Sequence, residues 1–173
     1  MKQFLIVLAL LISGQLTGTA FGQTKTAHVN TKTLMDTLPS RKMAVVEIQE
    51  VTQRGEAELM EMDKVLQKAY SDYMAVKESQ SAQVNQYEES KLQKMQQDIQ
   101  KREQELTAMI QNMTIAMNDQ TYKAIKEAAE TVAAKKGFQY VLEEATTIVA
   151  TGPSITNDVI AELLRLDAIS SSK

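Results

Sequence analysis

EAELMEMDKVLQKAYSDYMAVKESQSAQVNQYEESKLQKMQQDIQKREQELTAMIQNMTIAMNDQTYKAIKEAAETVAAKK, residues 56–136, runs from Gly55 to Gly137 without a glycine or a proline. Gln, Glu, Lys, Ala and Met fill it, all good helix formers, and apolar residues return every three or four positions. As one helix it would exceed about 100 Å, at about 1.5 Å per residue. Its middle is polar, however. From Lys77 to Gln86 only Val84 stands out as apolar, among Ser79, Ser81 and Asn85. The stretch therefore predicts an antiparallel helical hairpin over residues 41–136, with its tip near 77–86 and arms of roughly 50–60 Å.

Each limb carries one stripe. In the first, Ile48, Val51, Gly55, Leu59, Met62, Leu66, Ala69, Tyr73 and Val76 alternate in steps of three and four, close to the 3.5-residue repeat of a coiled-coil seam. Gly55 is the weak point of that stripe, costing about 1 kcal/mol relative to Ala, and marks a bend or a close approach. The return limb places Leu92, Met95, Ile99, Leu106, Met109, Met113, Met117, Ala124, Ala128 and Val132 at helical spacing, and Arg102 interrupts it. Arg102 is expected to mark imperfect packing in mid-arm. Lys135, Lys136 and Gly137 end the limb, the lysines complementing the helix dipole and Gly137 free to take the left-handed cap conformation.

Short β-like segments flank the hairpin. Residues 27–29, containing Val29, precede it; Phe138, Tyr140, Val141 and Leu142 follow it; Ile148 and Val149 start a further strand over 148–150. Pro39 punctuates the chain ahead of the first limb, with Ser40 as the expected N-cap. Thr156 is expected to cap a final helix, stapled by Ile155 and Ile160 and with Asp158 in its first turn. Residues 23–40 and 137–173 thus form a small base, and the fold class is α+β, mainly α. Strands this short cannot close their own edges, so pairing between subunits is expected to complete the base.

The first residues place the protein. Lys2, an apolar run over 4–12 and the small residues Ala20 and Gly22 make a secretory signal peptide, residues 1–22, with cleavage after Gly22; the apolar run is too short for a mature membrane anchor. Export as a soluble protein without a direct membrane anchor is expected from it. The 173-residue chain has no Cys, which excludes a lipoprotein, disulfides and thiol chemistry. It carries 19 Lys and Arg against 22 Asp and Glu, a net charge of −3, and removal of residues 1–22 takes only Lys2 with it, leaving −4. An acidic chain argues against nucleic acid as a partner.

Little in the chain suggests catalysis. His28 is the only histidine and has neither Cys nor a second His to work with. Glu47, Glu50, Glu56, Glu58, Glu61 and Asp63 crowd one helix among Arg54, Lys64 and Lys68, a solvated face rather than a metal site. No metal, no cofactor and no catalytic residue is expected, and the protein is expected not to be an enzyme. Methionine is the residue whose use stands out, since eight of the ten lie in the arms. Met62, Met95 and Met113 fall on the stripes; Met60, Met74 and Met117 fall beside them and are the candidate client-binding residues, because Met adapts to irregular surfaces.

Three segments carry a resemblance: Thr26-Ala27-His28-Val29-Asn30 with Leu34 following, Gly137-Phe138-Gln139-Tyr140-Val141-Leu142-Glu143, and Ser154-Ile155-Thr156-Asn157-Asp158-Val159-Ile160. With the order of strand, long hairpin, strand and closing helix, the chain resembles the Skp (OmpH-like) family of periplasmic chaperones. The resemblance implies a homotrimer whose strands form a β base, with Val29, Phe138, Tyr140, Val141, Leu142, Ile148 and Val149 in it. It also implies an ATP-independent holdase that encloses unfolded outer-membrane or secreted proteins between its arms. Members of that family are strongly basic, whereas residues 41–136 here hold 14 Lys and Arg against 16 Asp and Glu. Charge-driven capture and lipid or lipopolysaccharide binding are therefore not carried over. The rival readings are a structural coiled-coil spacer, which leaves the β ends unexplained, and a hairpin adaptor of an envelope assembly, for which about 20 residues before the arm are too few.

Overall fold

The computed structural model describes residues 25–171, so the signal peptide expected at 1–22 lies outside the described residues. Strand β1 (Thr26–Val29) leads into helix α1 (Thr31–Thr37) and then α2 (Pro39–Val76). A 3-10 turn (Lys77–Ser79) reverses the chain into α3 (Ala82–Lys136), which ends at β2 (Tyr140–Glu143); a second 3-10 turn (Glu144–Thr146) and an irregular segment lead to α4 (Thr156–Ser171).

The strands β1 and β2 pair in parallel, Thr26 opposite Tyr140 and Val29 opposite Glu143. Parallel neighbours cannot be joined by a tight turn. Here the crossover between them contains the entire hairpin, so the sheet closes the base and sends both limbs away from it. β1 also uses its other edge, where the His28 N–H donates to Pro153 O (3.1 Å) and the Ile155 N–H to His28 O (3.0 Å).

The two limbs are unequal, 38 residues in α2 and 55 in α3. The Arg41 guanidinium donates to Asn118 Oδ1 at 2.9 Å, which sets α2's first turn beside a point about two-thirds of the way along α3. Beyond that level α3 runs on alone into the base. There Ile125, Ala128 and Val132 pack with Ala27, Val29, Leu34, Leu38, Ile155, Val159 and Leu163 into one core. Leu34, Ile155, Val159 and Leu163 are fully buried, each contributing about 1.5–3 kcal/mol by removal from water. Lys136 Nζ reaches Asp158 (2.6 Å) and Lys135 Nζ reaches Glu162 (3.3 Å), pinning the end of α3 to α4.

Local chemistry sets the boundaries. Asn30 caps α1, its Oδ1 accepting from the Thr33 N–H at 2.9 Å. Ser81 caps α3 through the Val84 N–H, and the Asn85 side-chain amide donates across the tip to Lys77 O at 3.0 Å. Gly137 takes φ 73° and ψ 27°, its N–H returning to the last turn of α3, the left-handed cap that glycine makes cheaply.

Four local expectations are corrected. Ser40 is not an N-cap: α2 begins one residue earlier with Pro39 in its first turn, where a missing N–H costs nothing, and Leu38 is the extended residue before it. Phe138 belongs to the α3 cap, its N–H donating to Ala133 O (2.9 Å), so β2 starts only at Tyr140. Residues 148–150 form no strand. The Glu143 carboxylate accepts from the Thr31 hydroxyl and from the Thr31 and Ala145 N–H groups (3.1 Å each to the nearer oxygen), which turns the chain away as soon as β2 ends. Thr156 spends its hydroxyl on the Asn30 N–H at 3.0 Å, tying α4 to the end of β1 rather than capping its own helix.

Gly55 is the close approach. A β-carbon placed there would overlap both methyls of Leu106 and come within 3.0 Å of its Cγ. Gly55 costs about 1 kcal/mol of helix propensity, while burying Leu106 returns about 1.5–3 kcal/mol, so the contact wins. Gly55→Leu is predicted to destabilise the protein by about 1–3 kcal/mol in chemical unfolding, and Leu106→Ala added to it to restore most of that loss. Equal stability of Gly55→Leu and wild type would contradict the contact.

Glu162, almost buried, sits between Arg165 Nη2 (2.7 Å) and Lys135 Nζ. The hydrogen bond from Arg165, followed by that from Lys135, outweighs burial and holds its carboxyl below the ordinary 4.5. A carboxyl lowered on folding stabilises above its unfolded value and loses that contribution as pH falls through the lowered one. The thermal midpoint is therefore predicted to fall below about pH 4.5. Glu162→Gln should flatten that fall, and an unchanged pH profile in the variant would refute the role.

Candidate functional site

Two helices with no third against them bury one stripe each. In α2 only Gly55 and Tyr73 are buried, and in the part of α3 beside the arm only Leu106 is. The rest of the stripe, from Ile48 through Leu59, Met62 and Leu66 on one limb and Leu92, Met95, Ile99 and Met113 on the other, is half-buried. Val76 and Met109, expected on the stripe, are exposed.

Polar pairs fix the register where apolar burial is thin. Arg102, expected as a packing defect, forks onto Glu58 across the arm, Nε to Oε1 at 3.0 Å and Nη2 to Oε2 at 2.7 Å. Glu58 is thus not simply part of a solvated acidic face. The hydrogen bond from Arg102 holds its carboxyl below its ordinary range and raises the guanidinium in return. A signal was available in the sequence: Glu58 and Arg102 each stand 22 residues from Gln80, so a reversal at that residue sets them opposite one another. Nearer the tip, the Tyr73 hydroxyl donates to Glu89 Oε1 (2.7 Å), Lys77 Nζ bonds the same oxygen (3.1 Å), and the ammonium lies 5.4 Å from the centre of the Tyr73 ring. Burial, followed by the bond to Glu89, pushes the Tyr73 hydroxyl up, and the Tyr73 and Lys77 bonds hold Glu89 down.

Two open grooves flank the stripe near the outer half of the arm. One, of about 490 Å³, has Met62, Val65, Met95 and Ile99 as its floor. The other, of about 540 Å³, lies between Leu66, Tyr70, Tyr73, Met74 and Leu92. At 100° per residue the two sets point to opposite sides of the stripe, so the grooves are on opposite faces of the arm.

The candidate methionines are not gathered in one place. Met60 is 74% exposed and points away from the partner limb; Met74 is 50% exposed and lines the second groove. Met117 is half-buried at the foot of the arm, in a cleft of about 480 Å³ with Leu38, Arg41, Ala44 and Leu166. Further exposed apolar side chains along the limbs are Met43, one of the eight arm methionines, and Val46, Tyr70, Tyr87, Ile115 and Tyr122, which the sequence does not single out because they lie off the stripes.

The base candidates divide in two. Val29, Phe138 and Val141 belong to the core of the protomer itself. Tyr140, Leu142, Ile148 and Val149 are exposed on the surface, and among the described residues β2 pairs only with β1, leaving its other edge open. His28 serves the loop between β2 and α4: Nε2 lies 3.0 Å from Gly152 O, and Nδ1 3.6 Å from the Glu144 carboxylate. Among the described residues no three His, Cys, Asp or Glu converge as metal ligands, and no helix is long and apolar enough to cross a membrane.

Comparison with known proteins gives the same architecture a family. Residues 25–163 match the family model described as Outer membrane protein (OmpH-like). A crystal structure from Caulobacter crescentus CB15, of an OmpH-like protein assigned as an outer membrane chaperone, superposes with a TM-score of 0.68 over 82% of this chain and 84% of that one, at 16% identity. That likeness shows the shared fold of a helical hairpin on a small β base. No curated protein matches the chain significantly. With the family model spanning both strands and the whole hairpin, the chain belongs to the OmpH-like family.

Proposed function

We propose that this protein is an ATP-independent periplasmic holdase that keeps unfolded outer-membrane or exported proteins from aggregating between its helical arms. The observation that carries the reading is the apolar surface that the two-helix arm leaves open, from Met43 and Val46 near its foot to Tyr70, Met74 and Tyr87 near its tip. The two grooves with apolar floors are surfaces suited to binding apolar segments, and their placement on two faces of the arm suits a disordered client better than a folded one. The family membership and the chaperone assignment of the Caulobacter protein support the same reading.

The holder is a homotrimer in this reading, as the resemblance implies. Tyr140, Leu142, Ile148 and Val149 beside the open edge of β2 supply the surface for it, since short strands with open edges are satisfied by strands of another chain. Residues 1–22 direct the chain to the periplasm as a cleaved signal peptide. A purely structural spacer would account for the arms but leaves the apolar groups along them without a role.

Light scattering on the purified protein should give the mass of three chains, and Tyr140→Glu with Leu142→Glu should give a monomer of unchanged helix content. A wild-type monomer would rule out the assembly. Removing matched helical turns from both limbs around residues 77–81 should leave the trimer intact but abolish suppression of aggregation of an unfolded β-barrel membrane protein; full activity in the shortened protein would place capture elsewhere. Met60→Gln, Met74→Gln and Met117→Gln together should weaken suppression with assembly retained. Raising salt to several hundred millimolar should change it only modestly, because the arms have no broad positive field to screen.

A further inference from the structure

The outward face of a surface helix ordinarily carries charges among its polar residues. One line along α3 carries none. Positions 83, 86, 90, 93, 97, 100, 104, 107 and 111 alternate in steps of three and four, which keeps them on one side of the helix. All nine are exposed and uncharged, seven of them Gln. The other two, Ser90 and Thr107, turn their hydroxyls back to carbonyls of their own helix at 2.8 and 2.9 Å. Among the described residues no hydrogen bond holds any of the seven Gln side chains. On α2 every outward line of that spacing carries charge, as at Glu50, Glu56, Asp63 and Lys64. The lines beside the stripe hold Glu89 and Glu103 on one side and Lys94 and Lys101 on the other, so its borders balance. Gln93 and its neighbour Gln96 also wall the second groove, against the apolar floor of Leu66, Tyr70 and Met74. Where the same spacing reaches the foot of the arm, Asn118 Oδ1 accepts from the Arg41 guanidinium at 2.9 Å.

From this we infer that the Gln stripe of α3 binds the backbone of an extended client segment, whose side chains enter the groove beside it. The inference rests on the holdase reading and names the part of the client that the arm recognises. A Gln amide presents two N–H donors and a carbonyl acceptor, the groups of a peptide unit without a charge. An unfolded chain offers peptide N–H and C=O groups that a folded protein has already paired within itself. Polar side chains about 5 Å apart over roughly 40 Å of helix meet those groups whatever the client's sequence. A Lys or Glu in the same place asks instead for a counter-charge in the client, and so selects by sequence. The groove supplies the second half of the mode. Side chains of an extended segment point alternately to two sides, and one side then faces the apolar floor, so that main-chain bonds and pockets for alternate side chains act together.

The test uses a labelled twelve-residue peptide of Leu, Ser and Gly and the same peptide with its backbone nitrogens methylated, each titrated by fluorescence anisotropy against the purified protein. Wild type should bind the unmodified peptide about fivefold to tenfold tighter, the scale of two or three modest hydrogen bonds. Gln93→Ala, Gln97→Ala, Gln100→Ala and Gln104→Ala together keep the helix, Ala being the best helix former, and should bind both peptides equally. Lys64→Ala with Asp98→Ala, on the face of the first groove, should leave the preference unchanged. A chito-oligosaccharide, which also offers neutral hydroxyls and amides, should not displace the peptide. Equal binding of the two peptides to wild type, binding of neither, or a preference that survives loss of the four Gln side chains would each overturn the inference. So would a preference lost with Lys64→Ala and Asp98→Ala, or displacement by the sugar. Aggregation suppression measured on the same samples separates the two readings. If wild type holds an unfolded β-barrel protein but shows no preference between the peptides, only the stripe assignment fails; if it does not hold that client, the holdase reading fails with it.

Discussion

A pair of helices lying side by side in water can bury one stripe of each and no more, and the arm of this protein is built under that constraint for most of its length. Only where α3 runs past the start of α2 does it gain α1, α4 and the sheet as neighbours, and only there does a core form, around Leu34, Ile155, Val159 and Leu163. Outward from that core, apolar burial thins to Leu106 against Gly55 and then to Tyr73. The parallel pairing of β1 with β2 makes a crossover a topological necessity, since the chain must leave and return before the second strand can lie beside the first, and the arm is that crossover.

Thin burial changes what polar groups must do. In the base, ion pairs such as Lys136 with Asp158 supplement a core that already positions the helices. In the arm, the Glu58–Arg102 fork and the Tyr73–Glu89–Lys77 cluster bridge the limbs at intervals between half-buried side chains. An exposed ion pair contributes little energy, but a bidentate guanidinium adds geometric specificity. The same thinness leaves methionines and tyrosines in contact with water, which is the surface on which the functional reading depends.

Much of this was legible in sequence. The gap between Gly55 and Gly137 dictated the hairpin, the loss of apolar residues after Val76 located the reversal, and Gly137 with its two preceding lysines marked the end of α3. Three of the misreadings share a physical cause, which is that a side chain's partner far along the chain decides its role. Arg102 reads as a defect until Glu58 is set opposite it. Residues 148–150 read as a strand until Glu143 turns the chain by bonding Thr31, more than a hundred residues away. Thr156 reads as a cap until the Asn30 N–H takes its hydroxyl. For the candidate site, the presence of spare apolar side chains was visible in the methionine content, but not their division between two faces. That division needs the register of the two limbs.

The central claim is that the arm's open apolar faces, and not the base, hold an unfolded chain. Photo-crosslinkers placed one at a time at Met60, Val65, Met74 and Tyr87 on the arm and at Thr37 and Ser170 in the base, with an unfolded β-barrel membrane protein added, test it most directly. The account predicts crosslinks to the client from all four arm positions, spread over many sites in the client, and none from the base. Crosslinks confined to the base, with silent arms, would contradict it.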